Sequence, residues 1–542
     1  MNLEVTAIET AERQQAGRWA YKGPPITLLL PALAIALFAV SPVLYLVLRL
    51  SEAGSDAFDL IFNSRTLATL VRTVKLGATV FALATALSLV LGWLTVRTNL
   101  PWRRFWSVVT VLPLVIPSYV GALTVIQALG PRGLLQQSLE GFGVDRLPEI
   151  YGFPGAVFTL TLLTYPYLLL SVRTALWGMD PAMEESARLL GRGPLATFLR
   201  VTLPQLRPAL AGGGLLVVLY TMSDFGAVSL LRYDSFTTVI YAQYQLAFDR
   251  TLAAATSLVL VVLAFSLVAA EAASRGRSKY YKSSAGASRR SGRAKLGRWR
   301  WPALAFCSIV ALLALVLPIG VLFYLFLQGV SAGESFQSVW EAARNSIYAS
   351  GLAALATVLA ATPIALLSVR YGGRAAWLIE RVSYAGFALP GIVVALALVF
   401  FGIRYAQPLY QSMTMLIVAY VVLFLPVALG GLRTALLQIH PHLEDAARTL
   451  GKTPAQAFLS VTVPLLRPGI ITSLALVFLV TMKELPATLI LGPTGFSTLA
   501  TVTWTDATAA LLSRSSFAAL VLVAASALPM AAMIYWERRD EW

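Results

Sequence analysis

Long apolar runs alternate with short charged ones along the whole chain. Runs of about 20 or more apolar residues lie near 26–50, 70–96, 105–130, 155–178, 208–232 and 252–272, then near 303–327, 346–369, 383–403, 412–436, 469–492 and 516–537. A helix needs about 20 apolar residues to cross a hydrocarbon core about 30 Å thick. A helix also satisfies its own backbone hydrogen bonds in lipid, so each run predicts one crossing helix. The ten-residue alternation expected of membrane strands is absent. The pattern predicts an all-α membrane protein with about 12 transmembrane helices, six on each side of a polar break.

One amphipathic stretch is written twice between these runs. Glu184–Leu210 reads EESARLLGRGPLATFLRVTLPQLRPAL, and Glu444–Ile470 reads EDAARTLGKTPAQAFLSVTVPLLRPGI. The same offset of 260 residues maps Pro166 onto Pro426, Arg173 onto Arg433, Pro181 onto Pro441, Gly191 onto Gly451 and Pro208 onto Pro468. From Glu184 to Pro208, 14 of 25 aligned positions are identical. The chain is therefore expected to hold two parallel six-helix repeats, related by an axis along the membrane normal. The first is 26–272 with a loop at 180–208, and the second is 302–542 with a loop at 440–468. A polar segment, 1–25, precedes them, and a basic linker, 273–301, joins them.

Composition supports the membrane reading. Of 542 residues, 58% are hydrophobic and 13% charged, against about 25% charged in soluble domains. The net charge of +16 is concentrated: Ser274–Arg300 holds ten Lys or Arg and no acid. That distribution fits cytoplasmic loops and tails rather than nucleic-acid binding. With both termini in the cytoplasm, Arg97, Arg103 and Arg104, the basic linker, and Arg370, Arg374 and Arg381 all fall inside. The single Cys307 permits no disulfide within the chain. The first apolar run has no cleavage site close behind it and reads as a retained span.

Each repeated stretch reads as helix, glycine break, helix. In the first, Asp180 is placed to cap a helix whose first position is Pro181. Glu184 and Glu185 suit the positive end of the helix dipole. Gly191 can take the left-handed conformation that stops the helix. Pro194 can open a second short helix that ends before Pro204, and Leu189, Leu190, Leu195 and Phe198 are expected to face outward. One reading is an elbow lying on lipid headgroups. The other is a helix offering apolar anchors to a groove on a partner. Two copies in register favour a partner with two equivalent grooves, most simply a homodimer.

A further pair obeys the same offset. Asp224 and Glu484 each lie 16 residues past a proline, Pro208 or Pro468, so about 24 Å along a helix. Carboxylates at that depth are costly and tend to face a wet interior. Two readings are open: the pair flanks a path for a hard cation, or Asp224 caps a helix break while Glu484 pairs with Lys483. His440 and His442, with no Cys or carboxylate cluster nearby, make a weak metal site, and no metal ligand is assigned.

The pattern Glu185-Ser186-Ala187, Gly191, Leu203-Pro204, matched by Asp445-Ala446-Ala447, Gly451, Val463-Pro464, resembles the coupling loop of binding-protein-dependent ABC importer permeases. Ser186, Asp445 and Val463 depart conservatively from the family pattern. The stretches MSDFGAVSLLRYDSF from Met222 and MKELPATLILGPTGFSTLA from Met482 resemble the iron-type permeases of that family. The resemblance implies a fused two-half permease in a bacterial inner membrane. It also implies a homodimeric ATPase partner, a periplasmic or extracellular binding protein, ferric iron as cargo, and no cofactor or catalysis in this chain. Thiamine or another small solute is the alternative cargo, and an ion-coupled secondary transporter the alternative class. The residues implied in coupling to the ATPase are Glu184, Glu185, Ala187, Gly191, Phe198 and Pro204, with Glu444, Asp445, Ala447, Gly451, Phe458 and Pro464. The Gly451-Lys452-Thr453 triplet is not a phosphate loop: that motif needs a glycine five positions before Gly451, where Ala446 stands. ATP is expected to be used by the partner.

Overall fold

The computed structural model describes residues 24–52, 59, 61–143, 146–245, 250–274, 294–440 and 442–539. The expectations for the N-terminal segment and for most of the basic linker lie outside them, as does Pro441. Among the described residues, nine helices are long and apolar enough to cross a membrane, and two bent helix pairs bring the number to eleven. The twelfth apolar run opens the helix Leu512–Arg539.

The third span of each repeat is where a straight helix was expected and a bend is found. Arg103–Val115 meets Ser118–Glu140 at 99°, and Gly373–Gly386 meets Gly391–Tyr405 at 103°. Proline explains both bends. Pro117 and Pro390 lack an N–H, and each disfavours helical geometry in the residue before it. Accordingly Ile116 has ψ 120° and Leu389 has ψ 119°.

The fifth spans also differ from expectation. The short helix Pro194–Thr197 does not end before Pro204 but runs through a π turn, Phe198–Thr202, into Leu203–Ser223. The second repeat has Pro454–Ala457, a π turn at Phe458–Thr462, and Val463–Met482. The π turn makes this possible. Leu203 N–H reaches the Phe198 carbonyl and Val463 N–H reaches the Phe458 carbonyl, five residues back. The widened turn makes room for a proline ring at the next position, where no N–H is available to continue the ladder.

Two compact units divide the chain, and neither is a contiguous half. One contains residues 1–48, 340–501 and 524–542, and the other 49–339 and 502–523. In the first unit, Ala32, Ala36 and Ala39 of the opening helix Ile26–Ser51 pack among Ala354, Val358, Ala361, Leu425 and Leu429. In the second, Ala303, Cys307, Val310 and Ala314 pack among Leu91, Leu160, Leu169 and Val172. The opening helix of each repeat thus belongs to the unit built mainly from the other repeat. Small residues carry these contacts because membrane helices associate through close packing rather than hydrophobic exclusion from water. At Gly214 a Cβ would lie 2.2 Å from the Phe81 ring, so glycine is what lets Leu203–Ser223 approach Ser64–Arg97.

Candidate functional site

Both repeated stretches fold into the same elbow. Pro181–Leu189 is a helix capped by Asp180, whose carboxylate accepts the Ala182 N–H at 3.0 Å. Gly191 then takes φ +78°, with its N–H bonded to the Arg188 carbonyl and the Arg192 N–H bonded to that of Ala187. This pair of bonds is a Schellman motif, which satisfies carbonyls that the ending helix leaves open. The second elbow repeats it: Gly451 has φ +86°, Gly451 N–H meets Arg448 O, and Lys452 N–H meets Ala447 O. A Cβ on either glycine would touch nothing within 4 Å. The requirement for glycine is therefore conformational rather than steric. In the second elbow the Thr453 hydroxyl accepts the Gln456 N–H at 3.3 Å, and Gln456 Oε1 accepts the Thr453 N–H at 3.0 Å. With the Schellman break this capping box accounts for Gly451 and Thr453 of the Gly-Lys-Thr triplet, while Lys452 Nζ donates to the Ser460 hydroxyl at 2.7 Å.

The side chains divide into an outer and an inner set. Leu189 and Leu190 are 89% and 81% exposed, and Leu450 is 84% exposed. Leu195, Leu199 and Leu459 are also exposed, as is Glu185. Asp445 lies 3.9 Å from Arg448. Ala187 and Ala447 are buried, Pro204 is half-buried and Pro464 exposed. Phe198, expected to face outward, is half-buried and meets Trp93 edge-on at 5.3 Å. Phe458 is half-buried as well.

Glu184 and Glu444 turn inward. Glu184 Oε1 accepts the Thr202 hydroxyl at 3.0 Å and lies 3.7 Å from the Arg97 guanidinium, with both charged side chains under 10% exposed. Glu444 Oε1 accepts the Thr462 hydroxyl and the Arg370 guanidinium, the latter at 3.0 Å. Arg370 also donates to the Ile439 carbonyl at 3.3 Å. Each elbow is thereby tied to the last turn of a membrane helix by a Thr–Glu–Arg clamp. Hydrogen bonds to charged groups of this kind contribute about 1.5–3 kcal/mol each. The clamp arginines escaped the sequence reading because Arg97 and Arg370 are 273 residues apart rather than 260. A second alignment offset, shared by Pro117 and Pro390, would have paired them.

Asp224 and Glu484 both sit at breaks just past the fifth spans. Asp224 Oδ1 accepts the N–H groups of Ala227 and Val228 at 2.9 and 3.3 Å, at the start of the short helix Gly226–Leu230. Glu484 Oε1 accepts the Ala487 N–H at 3.2 Å, at the start of Pro486–Leu491. Further hydroxyls pin both breaks: Thr237 donates to the Asp224 carbonyl and Thr488 to that of Glu484. Tyr420 and Thr488 share a hydrogen bond of 2.7 Å. Among the described residues, no group of three or more His, Cys, Asp or Glu could hold a metal ion. His440 and His442 stack at 4.5 Å.

The sequence matches known proteins over nearly its full length. It is 34% identical over 512 residues to the Fe(3+)-transport system permease protein FbpB 2 of Haemophilus influenzae, covering 94% of this chain and 97% of that protein. It is 26% identical over 446 residues to the ferric transport system permease protein FbpB of Actinobacillus pleuropneumoniae, covering 76% of this chain and 62% of that one. Over 161 residues it is 32% identical to the molybdenum transport system permease protein ModB of Escherichia coli, covering 29% and 69%. Residues 84–275 and 353–539 each match one family, and each match contains one elbow. By those two matches, and by its likeness to a full-length permease, the chain belongs to the binding-protein-dependent transport system inner membrane component family.

Proposed function

We propose that this chain forms the translocation pathway of an ABC importer for ferric iron, with the two elbows docking into equivalent grooves of a dimeric ATPase. The duplicated elbow carries the proposal. Two glycine-broken helices of one geometry, each presenting exposed leucines over a buried clamp, suit two copies of one groove. The clamps supply the mechanism. An ATPase that shifts an elbow pulls on Glu184 or Glu444, and through Arg97 or Arg370 on the end of a membrane helix. ATP is hydrolysed by the partner, and a binding protein outside the membrane delivers the cargo.

The full-length likeness to an iron permease supports iron, while the shorter likeness to a molybdenum permease shows how far cargo varies around this fold. Positive charge on the elbows and their flanking loops supports a bacterial inner-membrane location with both termini in the cytoplasm. Asp224 and Glu484 are proposed to border the cation path while also capping their short helices. Asp224→Asn with Glu484→Gln keeps hydrogen-bond acceptors at both caps and removes both charges.

The test is uptake of radiolabelled ferric iron into proteoliposomes holding this chain, its ATPase and its binding protein. Leu190→Asp with Leu450→Asp should abolish both ATPase co-purification and uptake. The Asp224→Asn, Glu484→Gln variant should retain the ATPase and lose uptake. Full ATPase retention by the leucine variant would overturn docking. Normal uptake by the carboxylate variant would remove these residues from the path. A purified binding protein carrying thiamine would move the cargo assignment to thiamine.

A further inference from the structure

The end of the basic linker is pinned to the first elbow's unit. Ala294 N–H donates to the Arg97 carbonyl at 2.9 Å, and Asn99 N–H donates to the Ala294 carbonyl at 3.1 Å, closing a parallel bridge between Thr98 and Ala294. Leu296 N–H adds a bond of 2.9 Å to the Asn99 side chain. Two distant segments are thereby brought together: Trp102-Arg103-Arg104-Phe105, which lines a shallow open hollow, and Lys295 to Trp301, which includes Arg298, Trp299 and Arg300.

Both segments stand at the ends of spans. The first follows the span Ser64–Arg97, and the second runs into the span Gly297–Ser331. Trp102, Phe105, Trp299 and Trp301 are exposed, and the Arg300 guanidinium stacks on the Trp301 ring at 5.2 Å. No acidic residue occurs between Asp59 and Glu140, or between Glu271 and Glu334. Trp102 is held at φ +51°, a left-handed conformation costly for a bulky residue. A turn needing only that conformation would use glycine, as the other unit does at the equivalent helix end with Gly372 and Gly373.

We propose that these two segments form one site for the headgroups of anionic phospholipids. The guanidinium and ammonium groups meet the phosphate. The indole and phenyl rings enter the acyl boundary, where amphipathic aromatics settle. Five basic residues, Arg103, Arg104, Lys295, Arg298 and Arg300, against no acid give charge complementarity to an anionic leaflet. The apolar rim and the position at two span ends select a lipid over a free phosphate ion.

The test uses the purified full chain, delipidated in detergent and titrated with phosphatidylglycerol or phosphatidylcholine, with retained lipid read by native mass spectrometry. Phosphatidylglycerol should be preferred by at least about tenfold, given the attraction of each basic residue to an anionic surface. Millimolar inorganic phosphate should not displace it. The fourfold variant Arg103→Gln, Arg104→Gln, Arg298→Gln, Arg300→Gln should lose the preference, and the fourfold Arg→Lys variant should recover most of it. Equal retention of the two lipids, displacement by phosphate, or loss of the preference in the Lys variant as complete as in the Gln variant would overturn the proposal. So would a Gln variant that keeps the preference but loses ATPase co-purification, because the patch would then be a protein dock.

Discussion

At Gly191 and Gly451 the two elbows turn through the same left-handed geometry, close the same two backbone bonds, and continue through the same π turn. Their anchors differ. The Arg370–Glu444 pair is in hydrogen-bonding contact at 3.0 Å, whereas Arg97 and Glu184 stand 3.7 Å apart. The contrast recurs deeper in each unit. Arg173 is buried and bonded only to neutral acceptors, Thr95, the Ser107 carbonyl and Thr110, while Arg433 is paired with Glu380 at 3.0 Å and is 43% exposed. Backbone geometry, which under the proposed docking would meet two copies of one groove, is duplicated closely. Side-chain anchorage, which only has to hold, has diverged.

The sharpest way to break the shared backbone is Gly191→Val with Gly451→Val. Each places a β-branched residue at φ near +80°, costing at least about 1–2 kcal/mol locally. Because space is open around both glycines, the spans should still insert and fold. Transport-coupled ATP hydrolysis should fall at least about tenfold, and unchanged hydrolysis by the double variant would show that elbow geometry is not what couples.

The unequal clamps predict unequal losses. Glu444→Ala strands a buried Arg370 and should cost about 3 kcal/mol in denaturant titration of the purified chain. Glu184→Ala breaks a longer contact and should cost about half as much; equal losses would erase the distinction. Smaller again, Arg173→Met should cost about 1 kcal/mol: it removes the donors to Thr95, Thr110 and the Ser107 carbonyl, while both threonine hydroxyls keep their bonds to helix carbonyls. Arg433→Met should cost under about 1 kcal/mol, since its ion pair is half in solvent. The smallest effect is expected from Thr453→Ala with Gln456→Ala. It should remove about 0.5 kcal/mol of capping, the low end for an exposed cap, and a photoreactive ATP analogue should label the chain no differently before and after. Labelling lost on this change would restore a nucleotide role to Gly451-Lys452-Thr453.

What the sequence made legible follows from where local physics decides. Hydrophobic runs located the spans, and Asp180, Gly191 and Gly451 announced a cap and two breaks that the structure contains. The bends at Pro117 and Pro390 were written in the sequence, but their runs stayed apolar throughout, so periodicity alone passed over them. The π turns hid because a proline following a helix ordinarily marks an end, and Pro204 and Pro464 instead sit inside continuous helices. The inward turn of Glu184 and Glu444 depends on arginines from distant helices. No local signal separates Glu184 from its exposed neighbour Glu185. The exchange of opening helices is a matter of tertiary packing, invisible in any single run.

That exchange sets a timetable for biosynthesis. The helix Ile26–Ser51 is made well before its packing partners, which begin at Ala354, about 300 residues later. At about 5–20 residues per second, it must wait alone in lipid for roughly 15–60 s. Its sequence suits the wait: it contains no charged side chain before Arg49, and the Ser41 hydroxyl is satisfied by its own helix at the Phe38 carbonyl, 2.7 Å away. A polar substitution on its alanine face would therefore act first on the ribosome-bound chain. It would show as early capture by quality-control proteases, before any finished transporter existed to malfunction.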